Sequence, residues 1–290
     1  MARRSNPTGQ LPTSTVHQTR LPLFAPATRG VAVKKSFETN WGTVVFHRGS
    51  LTQRHRDVFD AIVVCHTRFE RWPNAEGFDQ ITVEFDRASV LKMLGVPHNH
   101  TWLKEMLIDM AGVVAELKSQ KGGIKANFIS GLITARESLT GVALRKAGQF
   151  SQYDEDSFRR GGNSPLWTIT MSPQLVALYD SDLHIHMGKL VPIVLSLEHP
   201  ISKGVARWML SHSDDQFHKV TDIFNALGVG EDPSNRRKLL KQLRDDGDIL
   251  KELGIEVGDG PLLKAIGGYK RNKSVWFYNP QVSGDEKTSH

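Results

Sequence analysis

Residues 233–247 read PSNRRKLLKQLRDDG, and their periodicity decides how the rest of the chain is parsed. Asp232 followed by Pro233 is a helix start signal: a capping carboxylate, then a proline in the first turn. The apolar positions Leu239, Leu240 and Leu243 mark one buried side. Ser234, Arg237, Lys238, Lys241, Gln242 and Asp245 fall on the other, with Asn235 at the N-terminal end. Arg236 lies near the apolar stripe and is expected to snorkel past it to water. The outward face mixes residue types that can read bases with types that bind phosphate. Arg chelates guanine, and Asn or Gln pairs with adenine. Lysine grips the backbone and carries no sequence information. The free N–H groups at the start of the helix would favour a phosphate as well. A basic helix face alone is commonly a solvated surface, so its neighbours must make the case.

Upstream, HPISKGVARWMLSH (199–212) spaces Ile201, Val205, Trp208, Met209 and Leu210 as a helix, and KVTDIFNAL (219–227) is a short helix ended by Gly228. Downstream, 262–267 and 274–278 read as strands around GYKRNK (268–273), a basic hairpin with Lys270, Arg271 and Lys273. A similar order precedes it in the chain. The spacing predicts a helix over 51–69, a strand over 79–85 with Ile81, Val83 and Phe85 on one side, and a short helix capped by Asp86 and ended by Gly95. A second helix from Thr101 carries the stripe Leu103, Met106, Leu107, Met110 and Val114. Strands near 114–118 and 126–134 flank a hairpin signal at 120–123. Further strands are expected at 139–144, 166–171 and 182–187, with a long polar loop at 145–164 and a short helix at 173–179.

Helix, strand, short helix, second helix, hairpin is the order of a winged helix-turn-helix, in which the second helix of the pair enters the major groove. The expected fold class is therefore α+β: two tandem winged-helix domains with a disordered N-terminal tail. The expected divisions are a flexible basic tail at 1–36, a first domain at 37–190 for dimerisation and DNA backbone contact, a second at 191–280 for the main DNA recognition, and a disordered C-terminus at 281–290. In the first domain Asn99, His100, Thr101 and Lys104 could face DNA, with Lys118, Lys121 and Lys125 on its wing. Glu105 and Asp109 would oppose phosphate there.

Charge is distributed unevenly. Residues 1–37 hold six of the 37 basic residues and no acid, so the other 31 basic residues balance 31 acids and the net +6 belongs to the tail. Overall charge thus says little about the folded part, and local clusters must argue for a polyanionic partner. No window approaches the length of a membrane span, and no apolar run follows Arg3 and Arg4, so neither membrane nor export is expected. The single Cys65 rules out an internal disulfide, fits a cytoplasmic protein, and is expected to be an inert thiol among Ile62, Val63 and Val64.

The segments VVFHRGSLT (44–52), ITVEFDRASVLKMLG (81–95), WTITMSPQLVALYD (167–180) and LSLEHPISKGVARWMLSHS (195–213) resemble the TrfA / iteron-binding Rep family of plasmid replication initiators. The resemblance runs from about Leu21 to Gly267. It implies binding of direct repeats (iterons) at an origin, opening of an adjacent A·T-rich segment, and recruitment of host proteins: the sliding clamp, the initiator DnaA and the replicative helicase. It also implies a monomer–dimer equilibrium involving the first domain, and no nucleotide cofactor. Arg237, Lys238 and Lys241 would then read or grip an iteron. Residues 20–24, Arg-Leu-Pro-Leu-Phe, resemble a clamp-binding pentapeptide with Arg20 in place of its usual Gln, and Leu21, Leu23 and Phe24 as exposed anchors. A strand-like contact with the fold is the other reading of that peptide.

Two alternatives stay open. A winged-helix transcriptional repressor would have the same face. A rolling-circle nicking enzyme would use His184 and His186 as a metal pair on a strand, beside a nucleophilic tyrosine such as Tyr179. The simpler reading of that pair is two histidines facing solvent. The Gly-Gly pairs at 122–123, 161–162 and 267–268 lack the Lys-Ser/Thr of a phosphate loop, and no Cys/His spacing suits zinc. Binding without catalysis, and without cofactor or metal, is the expected activity.

Overall fold

The computed structural model describes residues 11–20, 23–26, 36–39, 42–119, 122–127, 129–133 and 166–279. Leu21, Lys121, the expected strand at 139–144, the polar loop at 145–164, the rest of the tail and the C-terminus at 281–290 lie outside them. Among the described residues no helix is long and apolar enough to cross a membrane.

The chain is mixed α+β. It begins with β1 (Ser14–Thr15), α1 (Val16–Arg20), β2 (Phe24–Ala25), β3 (Ser36–Thr39), β4 (Gly42–Arg48) and β5 (Leu51–Thr52). Next come α2 (Gln53–Cys65), β6 (His66–Pro73), β7 (Asp79–Asp86), α3 (Arg87–Met93), α4 (His100–Gly112), β8 (Val114–Ser119), β9 (Gly122–Asn127), β10 (Ile129–Ile133), β11 (Leu166–Met171) and α5 (Pro173–Ser181). After β12 (His184–His186) follow α6 (Val191–Ser196), α7 (Pro200–Leu210), β13 (Gln216–Lys219), α8 (Val220–Ala226), α9 (Pro233–Asp245), α10 (Gly247–Glu252), β14 (Ile255–Val257), β15 (Ile266–Tyr269) and β16 (Trp276–Tyr278).

Two apolar cores divide the molecule. The first gathers α2 to α5 around Phe59, Ile62, Phe85, Leu91, Leu103, Leu107 and Trp167. The second gathers α6 to α10 around Ile201, Met209, Ile223, Phe224, Leu240, Leu243 and Tyr269. In the first unit a four-stranded sheet runs β10-β11-β7-β6 and another runs β3-β4-β8-β9; in the second, β13-β15-β14 form a three-stranded antiparallel sheet. The two copies expected from sequence therefore differ. Strand β7 pairs with β11, far along the chain, and the hairpin β8–β9 joins β4 instead.

Local signals explain most boundaries. Asp86 accepts N–H bonds from Ala88 and Ser89 and caps α3. The turn into α4 takes two left-handed residues, Gly95 at φ 70° and His98 at φ 72°. The expected helix over 51–69 is shorter. It ends at Cys65, where 66–73 becomes a strand that pairs along β7, Phe69 opposite Val83. Cys65 is half-buried against Met93, with Sγ 3.8 Å from Sδ, and burial raises its thiol pKa.

The units meet across α2 and α7 through buried charges. Asp60, fully buried, accepts from Arg207 Nε at 2.8 Å and pairs with Arg56 Nε at 2.8 Å. Asp57 accepts from Arg207 Nη2 at 2.6 Å and from Lys203 Nζ at 2.8 Å, and Gln53 Oε1 takes Arg207 Nη1 at 2.7 Å. Arg56 and Asp60 are four residues apart on α2. Here they form a seam whose partners are interdependent, because removing one leaves another buried without compensation.

The expected flexible tail needs correction over 11–20 and 23–26. Ser14 and Thr15 pair with β12, and β12 pairs in turn with β16, so the three-stranded sheet β1-β12-β16 stitches three distant segments together. Val16 enters the second core while Leu11, Leu23 and Phe24 enter the first. Arg20 donates to Ser211 Oγ at 3.0 Å and to its carbonyl at 2.8 Å. Apolar burial and strand pairing exceed what a polar, proline-rich composition suggested.

Candidate nucleic-acid interface

Helix α9 is set by its ends and its apolar stripe. Asp232 accepts from the backbone N–H groups of Ser234 and Asn235 at 3.2 and 3.1 Å. Pro233 occupies the first turn, and Arg236, Leu240 and Leu243 are buried. Ser234, Asn235, Arg237, Lys238, Lys241 and Asp245 are exposed and Gln242 is half-buried. Among the described residues, Arg237, Lys238 and Lys241 have no ion-pair partner. A row of three uncompensated cations on a rigid rod is suited to a polyanion.

Two expectations about this helix are corrected. Arg236 does not snorkel to water. It turns back and donates to Gly230 O at 2.7 Å, Asn225 Oδ1 at 2.6 Å and Val229 O at 3.1 Å, locking the α8–α9 turn. Its planar fork satisfies three acceptors that the turn would otherwise leave unpaired. The helix start is also no phosphate site. The Asp232 carboxylate already takes the Ser234 and Asn235 N–H groups and neutralises that end of the helix dipole.

The basic hairpin is also corrected. Strands β15 and β16 lie in different sheets, so GYKRNK is the crossing between them and not a hairpin tip. Lys270, Arg271 and Lys273 are exposed there. The crossing is held by Arg271 N donating to Asp215 Oδ1 at 2.9 Å and Lys270 N to Gly254 O at 2.8 Å. Gly254, at φ 85°, is required: a Cβ would stand 2.4 Å from Lys270 O. The hairpin next to α9 is β14–β15, whose loop spans 258–265. Arg244 Nη2 clasps it through Gly258 O at 2.7 Å and Gly260 O at 2.8 Å. Exposed Lys264 lies on this loop, and exposed Lys219, opposite Ile266, lies at the same end of the sheet. Sequence reasoning missed both lysines; the GDGPL turn signal at 258–262 was the clue that could have placed the loop.

The first unit places its candidates differently. Asn99 uses its side-chain oxygen to cap α4 at Trp102 N, 3.3 Å away. Thr101 is exposed, while His100 and Lys104 are half-buried. Burial also lowers the His100 pKa, as do nearby Arg87 and His98. The rest of the outward face consists of Glu105, Asp109 and a half-exposed Ile108. The structure thus gathers the second-unit candidates on α9 into one row and brings no comparable cationic row together on α4.

In the proposed clamp peptide, Leu23 is 1% exposed and Phe24 is buried under the Arg56 guanidinium, 5.4 Å from its ring centroid. Gln53 donates to Phe24 O at 2.9 Å, and β2 pairs with β5. These anchors are a contact with the fold. His184 and His186 are buried as well, and do not face solvent. His184 Nε2 lies 2.5 Å from Tyr179 O, and His186 stacks on Trp276 with ring centroids 3.6 Å apart. Burial lowers both pKa values, that of His186 to about 4. Tyr179 is itself buried, donating to Gln18 Oε1 at 3.2 Å. Among the described residues no group of three or more His, Cys, Asp or Glu side chains could hold a metal ion. No family model, curated protein or solved structure matches this chain.

Proposed function

We propose that the chain is a sequence-specific double-stranded DNA-binding protein made of two winged-helix units, acting as a plasmid replication initiator on direct repeats. One observation carries the proposal: the exposed, uncompensated row Arg237, Lys238 and Lys241 on the capped helix α9. Its setting supports the reading. The order α7, β13, α8, α9, α10, β14 and β15, with sheet order β13-β15-β14, resembles that of a winged helix-turn-helix carrying one additional short helix, α10, and in this reading α9 is the recognition helix. Arg237 would chelate a guanine, Lys238 and Lys241 would hold phosphates on either side, and Ser234, Asn235 and Gln242 are within the same face for further base contacts.

The sequence resemblance to iteron-binding initiators supports the more specific role: origin repeats as the site, DnaA, helicase and clamp as partners, and a monomer–dimer equilibrium involving the first unit. Residues 20–24 are not carried forward as the clamp contact, because Leu23 and Phe24 are buried. The activity in this reading is binding, and the work of opening DNA comes from the binding contacts that bend it, the bend itself costing on the order of 1–6 kcal/mol.

Footprinting on the DNA that flanks the gene tests the role. Protection of tandem direct repeats beside an A·T-rich tract is the expected result. A lone inverted repeat over a promoter would assign repression instead, and absence of any protected site would remove the proposal.

A further inference from the structure

Among the described residues, Leu263 is the most exposed of the large apolar side chains, at 80%. Its surroundings are ordered. Ala265 N and Lys264 N both donate to Pro261 O, at 3.0 and 2.9 Å, so 261–265 forms a single tight turn. That turn directs Leu262 and Ala265 into the second core and leaves Leu263 and Lys264 outside. The base of the loop is clasped by Arg244, and Ala265 O accepts from Val220 N at 3.0 Å. Isolated exposed leucines are common on protein surfaces. A leucine at the apex of a loop braced from both sides is a preformed projection.

The bracing also fixes where the projection lies. Arg244 follows Arg237 by seven residues, so the two are about 20° apart around the helix and about 10 Å apart along it. Arg244 therefore holds the base of the loop, Gly258 and Gly260, at the C-terminal turn of α9, at an angular position close to that of Arg237. A duplex lying on the row Arg237, Lys238 and Lys241 would meet the loop in the neighbouring groove. The loop has little net charge to offer, since Asp259 and Lys264 are both exposed on it. Its apex contact is apolar. Leucine is one of the side chains that enter a minor groove and part a base step.

We infer that Leu263 is a minor-groove wedge: when α9 sits in the major groove, the 258–265 loop enters the adjacent minor groove and Leu263 unstacks a base step, kinking the duplex. Flexible pyrimidine–purine steps such as TA are the favoured targets, because they cost least to open. The inference rests on the proposed duplex binding and adds a mechanical role. It supplies a local distortion from which an A·T-rich segment could be opened.

The test uses the full chain and a duplex selected by the wild-type protein from a random-sequence pool. A fluorescent adenine analogue is placed in turn at each adenine, and the bend is read by end-to-end energy transfer. Wild type is expected to give a several-fold fluorescence rise at one step flanking the guanines it protects from methylation. Leu263→Ser should abolish that rise, reduce the bend and weaken binding about tenfold, with the same guanines still protected; Leu263→Met should retain the rise. The side chain is solvent-exposed, so an unchanged melting temperature serves as the folding control. An unchanged rise and bend in Leu263→Ser would overturn the wedge while leaving α9 as the reading helix. Failure of the wild-type protein to select any duplex would overturn both.

Discussion

Helices α4 and α9 hold corresponding places in the two units and present different chemistry. Each follows a short helix and a turn with left-handed glycine, Gly95 or Gly228, and each is capped by a side chain; α4 leads directly into an antiparallel hairpin, and α9 reaches one after the short helix α10. Each also buries an apolar stripe, Leu103, Leu107 and Met110 in one and Leu240 and Leu243 in the other. Outward, α9 offers Arg237, Lys238 and Lys241, whereas α4 offers Glu105, Ile108 and Asp109. Position within a helix pair is thus fixed by packing, but what the helix can bind is fixed by the residues that packing leaves out. A negative, partly apolar face suits a protein partner better than a phosphate backbone.

The comparison can be broken first at the seam that joins the units. Asp60→Ala should cost about 3–5 kcal/mol of stability, because it leaves Arg56 and Arg207 buried and undercompensated. Urea unfolding would read this, and a loss below about 1 kcal/mol would mean the seam does not hold the units together. On the binding side, Arg237→Ala should cost about 1–3 kcal/mol on the selected duplex and relax discrimination at one base pair. A uniform loss on specific and random DNA would instead make Arg237 a phosphate contact. Acid should weaken the β1-β12-β16 seam. The His186 pKa is lowered by burial, and also by His184, to about 4. Between that value and the ordinary pKa of about 6.5 the unfolded chain binds more protons. Stability is then lost as pH falls through this window, by about 1.4 kcal/mol per pH unit for one fully coupled histidine. His186→Phe should flatten that dependence in thermal melts across the window.

Smaller effects sharpen the contrast. Asp232→Asn keeps a capping side chain and removes an anion from the end of α9 that the proposed duplex would approach. It should therefore tighten binding severalfold with little change in melting temperature, and weaker binding would place that end away from DNA. Lys104→Ala on α4, and Lys270→Ala at the base of the β13-β15-β14 sheet, should change affinity by less than about 0.5 kcal/mol. Lys270 is four residues, about 13 Å of strand, from the loop end of that sheet.

Much of this was legible in the residues. Apolar spacing located α3, α4, α7, α8 and α9, and capping carboxylates marked their starts at Asp86 and Asp232, because these signals are local. Strand partners were not legible. That β7 pairs with β11, and β16 with β12 in place of β15, depends on contacts between residues distant in the chain, to which period-two alternation is blind. The same limit hid the seam. Asp57, Asp60 and Arg207 look like solvated charges until α2 and α7 meet. On α9 the row Arg237, Lys238 and Lys241 was legible from the wheel alone, whereas the roles of Arg236 and Arg244 depended on the carbonyls of two turns that only the fold brings near.

The most direct measurement is the salt dependence of duplex affinity for the wild-type chain and for a triple Arg237→Ala, Lys238→Ala, Lys241→Ala variant. The exposed row on α9 predicts a steep fall of affinity with salt, and a slope shallower by about 0.9 for each phosphate that the variant no longer neutralises. A variant that binds the same duplex as tightly, with an unchanged slope, would contradict the assignment of α9 as the DNA-binding face.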